Sequence, residues 1–272
     1  MNILILGDVF AQPGRDAVKA HLPALRRDLQ IDVAIVNAEN AAHGFGLTEK
    51  IAGELYEAGA DVLTTGNHVW DQRELIQQID RDPRILRPAN FPPGTPGAGT
   101  YLHRLGDGRL VLVINLMGRL FMDPLDDPFR GFEAALGSHE LGRDVAAIVV
   151  DFHGEATSEK TAMGHFADGR VSAVIGTHTH VPTADHQILP GGTAYISDLG
   201  MCGDYDSVIG LEKQALIHRF LAKMPGPKKP EPAAGEATLC GVFIATDDAT
   251  GLARRIEPVR VGGRLKPAWP GV

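Results

Sequence analysis

Acidic, amide and imidazole side chains lie directly after apolar runs at five places in this 272-residue sequence. They are Asp8 after NILILG; Asn37, Glu39 and Asn40 after DVAIV; Asn67 and His68 after DVLTTG; His153 after VAAIVVDF; and His178 and His180 after VSAVIG. Carboxylate oxygens, amide oxygens and imidazole nitrogens are hard or borderline ligands, a set that suits Mn, Fe, Zn or Mg more than a structural zinc site. The repeated arrangement therefore indicates metal chemistry.

The apolar runs predict strands that would bring these side chains together. Near-continuous runs of Val, Ile and Leu are typical of strands covered on both faces of a sheet. Alternation of such strands with helices predicts an α/β fold, in which ligands bind beyond the carboxyl ends of the strands. Helix-like segments lie between many of the runs, at residues 15–29, 48–58, 71–79 and 158–167. We therefore expect the polar residues to converge at one edge.

Two residues bear on the shape of these helices. Thr48 comes directly before Glu49 and Lys50, which predicts a capping side chain at the start of the helix. Pro23 predicts an early break or a kink in the helix of residues 15–29, because proline has no backbone N–H to donate.

The number of polar residues indicates two metal ions, because they are too many for one ion with an open position. A two-metal centre with a bridging carboxylate uses the set naturally. Each residue alone has an ordinary structural alternative: a helix cap for Asp8, a core position for His153, and a tight, partly exposed turn for His178 and His180. The seven candidate ligands are Asp8, Glu39, Asn40, Asn67, His153, His178 and His180.

Composition narrows the classes of partner. The formal net charge of −8 argues against an extended nucleic-acid surface or a broad contact with an anionic membrane. The two cysteines, Cys202 and Cys240, are far apart in the sequence. This argues against a disulfide framework and suits a reducing cytosol. Neither a signal peptide nor a membrane span is predicted, so a cytoplasmic location is expected.

The chain is expected to form one domain over residues 1–272. A Pro/Gly-rich stretch leads into an antiparallel strand pair around GDG at residues 106–108. The Pro/Lys-rich segment at about 223–237 predicts an exposed loop rather than a domain boundary, because one more strand pair follows it.

Several motifs resemble those of the calcineurin-like metallophosphoesterases. GNH at residues 66–68, the lone His153 and GTHTH at residues 176–180, after an N-terminal GD, carry this resemblance. More closely, GDVFAQPGR, VNAENAAHGFG, TTGNHVWDQ, INLMGR, DFHGEATSEK and GTHTHVPTAD resemble the YmdB-type bacterial phosphodiesterases, up to about residue 210. Phe10 stands where the wider superfamily has a histidine ligand, and Glu39–Asn40 where it has an aspartate. Both departures are typical of the YmdB-type subgroup, in which the Asn40 amide would replace the lost histidine.

The resemblance implies a metallophosphoesterase-like four-layer αββα sandwich of mixed sheets flanked by helices. Asp8, Asn40 and His180 would hold one ion and Asn67, His153 and His178 the other, with Glu39 bridging them. The two divalent or trivalent ions would be Fe or Mn, with Mg or Zn as alternatives. Metal-bridged hydroxide would attack phosphorus, and His68 would protonate the leaving alkoxide.

The implied substrate is a small phosphodiester, in particular a 2′,3′-cyclic nucleotide. Two other functions are considered: a phosphomonoesterase or protein phosphatase, and a nucleotide- or RNA-sensing regulatory protein with incidental turnover. A homo-oligomer is compatible with the family.

Further residues are candidates for holding the ligands in place or for contacting the substrate. Asp71 would orient His68, or serve only as a carboxylate in the first turn of a helix. Ser158 or Thr157 would cap a helix whose N-terminus could face phosphate. Asn37 has no assigned role. The other cleft candidates are His43, Asn115 and Arg119.

Overall fold

The computed structural model describes residues 1–224, 226 and 229–271. Within these residues the chain forms thirteen strands and six α-helices. The strands are β1 (Asn2–Leu6), β2 (Asp8–Val9), β3 (Val33–Asn37), β4 (Val62–Thr64), β5 (Thr100–Arg104), β6 (Leu110–Met117), β7 (Ala147–His153), β8 (Ala173–Thr177), β9 (Gln187–Ile188), β10 (Ala194–Ile196), β11 (Met201–Asp204), β12 (Ala237–Thr246) and β13 (Ala253–Val261). The helices are α1 (Ala11–Asp28), α2 (Glu49–Glu57), α3 (Arg73–Gln78), α4 (Pro128–Leu136), α5 (Thr157–Ala167) and α6 (Lys213–Ala222).

The strands form two mixed sheets. In the first, the order is β2-β11-β12-β1-β3-β4, and β13 also pairs with β12. β1, β3 and β4 are parallel, whereas β12 is antiparallel to β1 and β13. In the second, the order is β5-β6-β7-β8-β10-β9. Its four inner strands are parallel, and its edge strands β5 and β9 are antiparallel to their neighbours.

Apolar side chains on both faces of the sheets place the sheets face to face with helices outside. Successive side chains of a strand point to opposite faces, so Ile3 of β1 packs in a core with Val149 of β7, whereas Leu4 packs in the core that includes α1 and α2. Phe132 of α4 and Met163 of α5 cover the outer face of the second sheet. The layers are helix, sheet, sheet and helix, which confirms the predicted αββα sandwich.

The structure tests two predictions about the helices. α1 runs through Pro23 to Asp28, so the predicted early break is wrong. Leu22 and Leu25 on either side of this proline are both buried in one core, which holds the helix together there. At α2 the prediction is confirmed, because Thr48 Oγ1 accepts a hydrogen bond from the Ile51 N–H at 3.3 Å.

The predicted antiparallel pairs are present. β5 and β6 pair around the GDG turn, and β12 and β13 pair near the C-terminus. Part of the Pro/Lys-rich segment, namely Pro225, Pro227 and Lys228, lies outside the described residues. Among the described helices, none combines the length and apolar character needed to cross a membrane. A single domain over residues 1–272 stays a prediction.

Candidate metal centre

The carboxyl ends of strands from both sheets meet at one place. β3 ends at Asn37, which is paired with Thr64 at the end of β4. In the other sheet, His153 at the end of β7 is paired with Thr177 at the end of β8. Because these strands are parallel within each sheet, the polar residues that follow them are delivered to the same edge. The predicted convergence is therefore present.

The first group of side chains consists of Asp8, Glu39 and His180. One ligand atom from each lies within 4.8 Å of the others, and all three residues are buried. Asn40 joins them, because its Oδ1 lies 3.2 Å from His180 Nε2. Phe10, in the position of the missing histidine ligand, packs its ring edge-on against His180. This group contains the four residues predicted at the first ion and its bridge.

The second group consists of Glu39, His153 and His178, again with ligand atoms within 4.8 Å. Three neighbouring atoms surround His153 Nε2: Asn67 Oδ1 at 3.0 Å, His178 Nδ1 at 3.1 Å and Glu39 Oε1 at 3.1 Å. Glu39 thus belongs to both groups, as a bridging carboxylate requires.

Unsatisfied polarity shows that these residues fit bound cations. Asp8 Oδ1 is buried and has no hydrogen-bond partner among the described residues. A buried carboxylate oxygen without a partner is costly unless a cation neutralises it. Possible ligand atoms of the other groups also lie close together, with three of them within 3.1 Å of His153 Nε2. The set of oxygen and nitrogen atoms therefore fits bound metal ions.

The pKa values of the buried groups reflect this crowding. Burial raises the pKa of Asp8 to about 6, against the attraction of His180 and His153. Burial also opposes ionisation of Glu39 and His153, but their mutual attraction prevails, so it lowers the pKa of Glu39 and raises the pKa of His153. Burial and the neighbouring His153 lower the pKa of His178 to about 3. These shifts follow from the burial of carboxyl and imidazole groups close together in one site.

Hydrogen bonds orient the ligand nitrogen of each imidazole. Thr177 Oγ1 donates to Asp151 Oδ1 at 2.7 Å, so it accepts from His153 Nδ1–H at 2.9 Å and leaves Nε2 free. His180 Nδ1 donates to the Ile209 carbonyl at 2.9 Å, which also frees Nε2. In His178 the other ring nitrogen has the outside partner. Its Nε2 lies 3.2 Å from Glu155 Oε2, which leaves Nδ1 as the ligand nitrogen. Such partners fix the tautomer of a metal-binding histidine.

Asn37 connects Glu39, which belongs to both groups, with Asp151, whose partner Thr177 contacts His153. Its Oδ1 accepts the Glu39 N–H at 3.1 Å, and its Nδ2 donates to Asp151 Oδ2 at 3.0 Å. Both Asn37 and Asp151 are buried. Asn37 thus acquires the structural role that its sequence context left open.

Replacing Asn37 by Ala is expected to lower the affinity for Mn²⁺ by about 10- to 100-fold, because partners of metal ligands contribute on this scale. Equilibrium dialysis with metal analysis measures this change. Asn90→Ala is the matched control, since Asn90 is a buried amide that binds the backbone of Met117 and Asp126. Equal metal affinities in the two variants would contradict the role of Asn37.

His68 lies beside the cluster without belonging to either ligand group. Its backbone N–H donates to Glu39 Oε2 at 3.2 Å, and its Nδ1 lies 2.8 Å from Asp71 Oδ2. Phe45 packs edge-on against the imidazole, which is about one quarter exposed. Asp71 lies before α3, whose cap position is Gln72, so the first-turn alternative for Asp71 is wrong. The contact with His68 agrees with the orienting alternative.

The remaining cleft candidates have other partners in the structure. Asn115 is fully buried and bridges the backbone of Thr65 and Asp151, so it does not line a cleft, contrary to expectation. Arg119 pairs with Asp127 at 3.0 Å. His43 is largely exposed and pairs with Glu231 at 2.9 Å.

The predicted cap of α5 by Ser158 or Thr157 is wrong. The cap residue is Ala156, which provides no side-chain hydrogen bond, and Ser158 is exposed. Glu159 is instead buried and accepts the N–H groups of Arg119 and Leu120. Tertiary hydrogen bonds therefore replace the local cap.

Sequence reasoning missed the buried groups behind the ligands: Asp151, Thr177, Lys160 and Asp198. For Asp151 a signal was available, because a carboxylate in the middle of the apolar run AIVVDFH is unusual unless it is paired.

The fold and the ligand set define a protein of the metallophosphoesterase type. The YmdB-like protein family model matches residues 4–259, and the chain belongs to that family. The resemblance found in the motifs is thus confirmed.

Relatives and solved structures match over nearly the whole chain. A 2′,3′-cyclic-nucleotide 2′-phosphodiesterase of Bacillus subtilis (strain 168) is 49% identical over 96% of this chain and 97% of its own length. A putative phosphatase/phosphodiesterase of Mycoplasma pneumoniae is 37% identical over 96% of this chain and 93% of its own. A hypothetical protein from Thermus thermophilus superposes with a TM-score of 0.89 at 42% identity, covering 97% and 100% of the two chains. A novel phosphatase from Mycoplasma pneumoniae superposes with a TM-score of 0.88 at 35% identity, covering 96% and 93%.

Proposed function

We propose that this protein is a two-metal phosphodiesterase that hydrolyses 2′,3′-cyclic nucleotides. The observation that supports this most directly is the position of Glu39 in both ligand groups. Asp8, Asn40 and His180 would hold one ion, and Asn67, His153 and His178 the other. Two ions bound there would supply Lewis acidity toward the phosphoryl oxygens and an acidified water as nucleophile.

In this proposal His68 is the general acid. Asp71 holds its Nδ1, so Nε2 is the nitrogen available to the substrate. A protonated Nε2 would donate to the oxygen that leaves phosphorus, which would otherwise depart as a high-energy alkoxide. Phe45, packed against the ring, and Asp71 restrict its orientation together.

The substrate class is supported by the name of the Bacillus subtilis relative, which is 49% identical to this chain. That name specifies the 2′ bond of a 2′,3′-cyclic nucleotide. The leaving oxygen here would accordingly be ribose O2′, and the product would be a nucleoside 3′-phosphate.

We propose Fe or Mn as the resident metals, with Mg or Zn as alternatives. Imidazole, carboxylate and amide ligands without thiolate suit iron and manganese. We place the activity in the cytoplasm, which agrees with the two buried free thiols, Cys202 and Cys240.

A small panel of phosphoesters tests the proposal. Protein loaded with Mn²⁺ or Fe²⁺ is expected to cleave 2′,3′-cyclic AMP and bis-p-nitrophenyl phosphate faster than p-nitrophenyl phosphate. Metal-free protein serves as the control and is expected to cleave none of them.

Two other results would favour the alternatives. Preference for the monoester would indicate a phosphomonoesterase. Tight binding of the nucleotide with negligible turnover by loaded protein would indicate a sensing protein.

A further inference from the structure

The two histidines of the GTHTH segment (residues 176–180) have positive φ values, which residues other than glycine rarely adopt. His178 has φ of 101° and His180 has φ of 65°. Residues with a Cβ persist in this region only where surrounding contacts hold them, and such strain is concentrated at functional sites. The two proposed ions share this segment, since His178 belongs to one ligand group and His180 to the other.

Thr179, between the two histidines, is held by a buried carboxylate. Its N–H donates to Asp198 Oδ2 at 3.0 Å. Oδ1 of the same carboxylate accepts the Gly200 N–H at 2.9 Å. Asp198 is only 1% exposed, so its contact with Thr179 is shielded from water.

Lys160 provides the counter-charge for Asp198. Its Nζ lies 2.8 Å from Asp198 Oδ2, and the lysine is itself only 2% exposed. The lysine lies on α5, the helix that follows the strand carrying His153. Its stem also packs against the GTHTH segment, because a Cβ on Gly176 would lie 2.9 Å from Lys160 Cδ. The pair therefore connects the elements that carry three of the ligands.

A buried ion pair is weak as a source of stability. Removing two charges from water costs free energy that the attraction between them often does not exceed, and apolar replacements are frequently tolerated. The hydrogen bond to Thr179 indicates a role other than stability for this pair, because it holds the backbone N–H that lies between two proposed metal ligands.

We propose that Lys160 and Asp198 are positioning residues that hold the backbone of His178 and His180 for simultaneous binding of two ions. Asp198 accepts the Thr179 N–H, and the contact with Lys160 Nζ holds the carboxylate in place for this hydrogen bond. This inference rests on the two-metal centre proposed above. It assigns a role to Lys160, the last residue of the DFHGEATSEK motif.

Two double variants separate the hydrogen bond from the charges. Lys160→Met with Asp198→Asn removes both charges but keeps a carbonyl oxygen that can accept the Thr179 N–H. Lys160→Met with Asp198→Leu removes the charges and the acceptor together. Mn²⁺ affinity is measured by equilibrium dialysis, and folding of the metal-free proteins by circular dichroism and thermal melting.

The leucine double variant is expected to bind Mn²⁺ about tenfold or more weakly than the asparagine double variant, on the scale found for partners of metal ligands. Ser172→Ala is the matched control, because Ser172 directly precedes β8, at the end of this strand away from GTHTH. It is buried and hydrogen-bonds Ile148 and Gly251. This variant is expected to lower thermal stability without changing Mn²⁺ affinity.

Equal affinity in the two folded double variants would overturn the inference, as would an equal loss in Ser172→Ala. If the leucine double variant does not fold, Lys160→Met alone decides: weakened Mn²⁺ binding supports the inference, and wild-type affinity overturns it. The wild type provides a separate check, since fewer than two Mn²⁺ equivalents would contradict the two-metal proposal itself.

Discussion

Replacement of Glu39 by Gln is expected to remove one metal equivalent per chain and to lower turnover of 2′,3′-cyclic AMP by about 10³-fold or more. The carboxylate belongs to both ligand groups and is almost completely buried. Glutamine has nearly the same shape, but it carries no charge and presents an NH₂ group to one of the two ions. Two ions together stabilise the transition state by several kcal/mol. Losing this stabilisation corresponds to the expected fall in turnover.

Metal analysis of the purified protein and a turnover assay at saturating Mn²⁺ measure the two effects. Glu54→Gln is the control, because Glu54 pairs with Lys19 on the surface and touches neither ligand group. A Glu39→Gln protein with two metal equivalents and wild-type turnover would refute the bridging role.

Replacement of His68 by Ala is expected to lower kcat for 2′,3′-cyclic AMP by about 10²- to 10⁴-fold while both metal equivalents are retained. The side chain lies next to the cluster but is absent from both ligand groups. Its Nδ1 is engaged by Asp71, which leaves one nitrogen for proton transfer. Loss of metal together with activity would show that His68 serves the metal centre rather than the leaving group.

The leaving group provides a sharper control for His68. A ribose alkoxide needs a proton as it departs, whereas p-nitrophenolate departs readily without one. His68→Ala should therefore affect 2′,3′-cyclic AMP much more than bis-p-nitrophenyl phosphate. Equal losses for both substrates would contradict the role as general acid.

The clustering of the proposed ligands could be predicted because these residues follow apolar runs. Asp8, Glu39 and His153 are polar residues at the ends of apolar runs that are typical of buried strands. Parallel strands place such residues at a common edge of the sheet. Local patterns were less informative at α5, where Glu159 binds the distant Arg119–Leu120 backbone and Ser158 provides no cap. A capping motif competes with tertiary partners that the sequence alone does not reveal.

The supporting groups were not predictable for a physical reason. Lys160 and Asp198 are 38 positions apart, and their contact depends on how α5 packs against the segment after β10. Neither residue is unusual in its local sequence, whereas burial of both charges makes the pair conspicuous in the structure. Asn115 was wrongly predicted to line the cleft. A polar residue near a motif can instead form its hydrogen bonds with buried backbone groups.

Titration of metal-free protein with Mn²⁺, with bound metal and turnover of 2′,3′-cyclic AMP followed together, tests the central claim most directly. We expect no turnover without metal, little at one equivalent per chain, and a plateau at two equivalents. Full turnover in the metal-free protein, a plateau at one equivalent, or no phosphodiester cleavage by the fully loaded protein would contradict a two-metal phosphodiesterase.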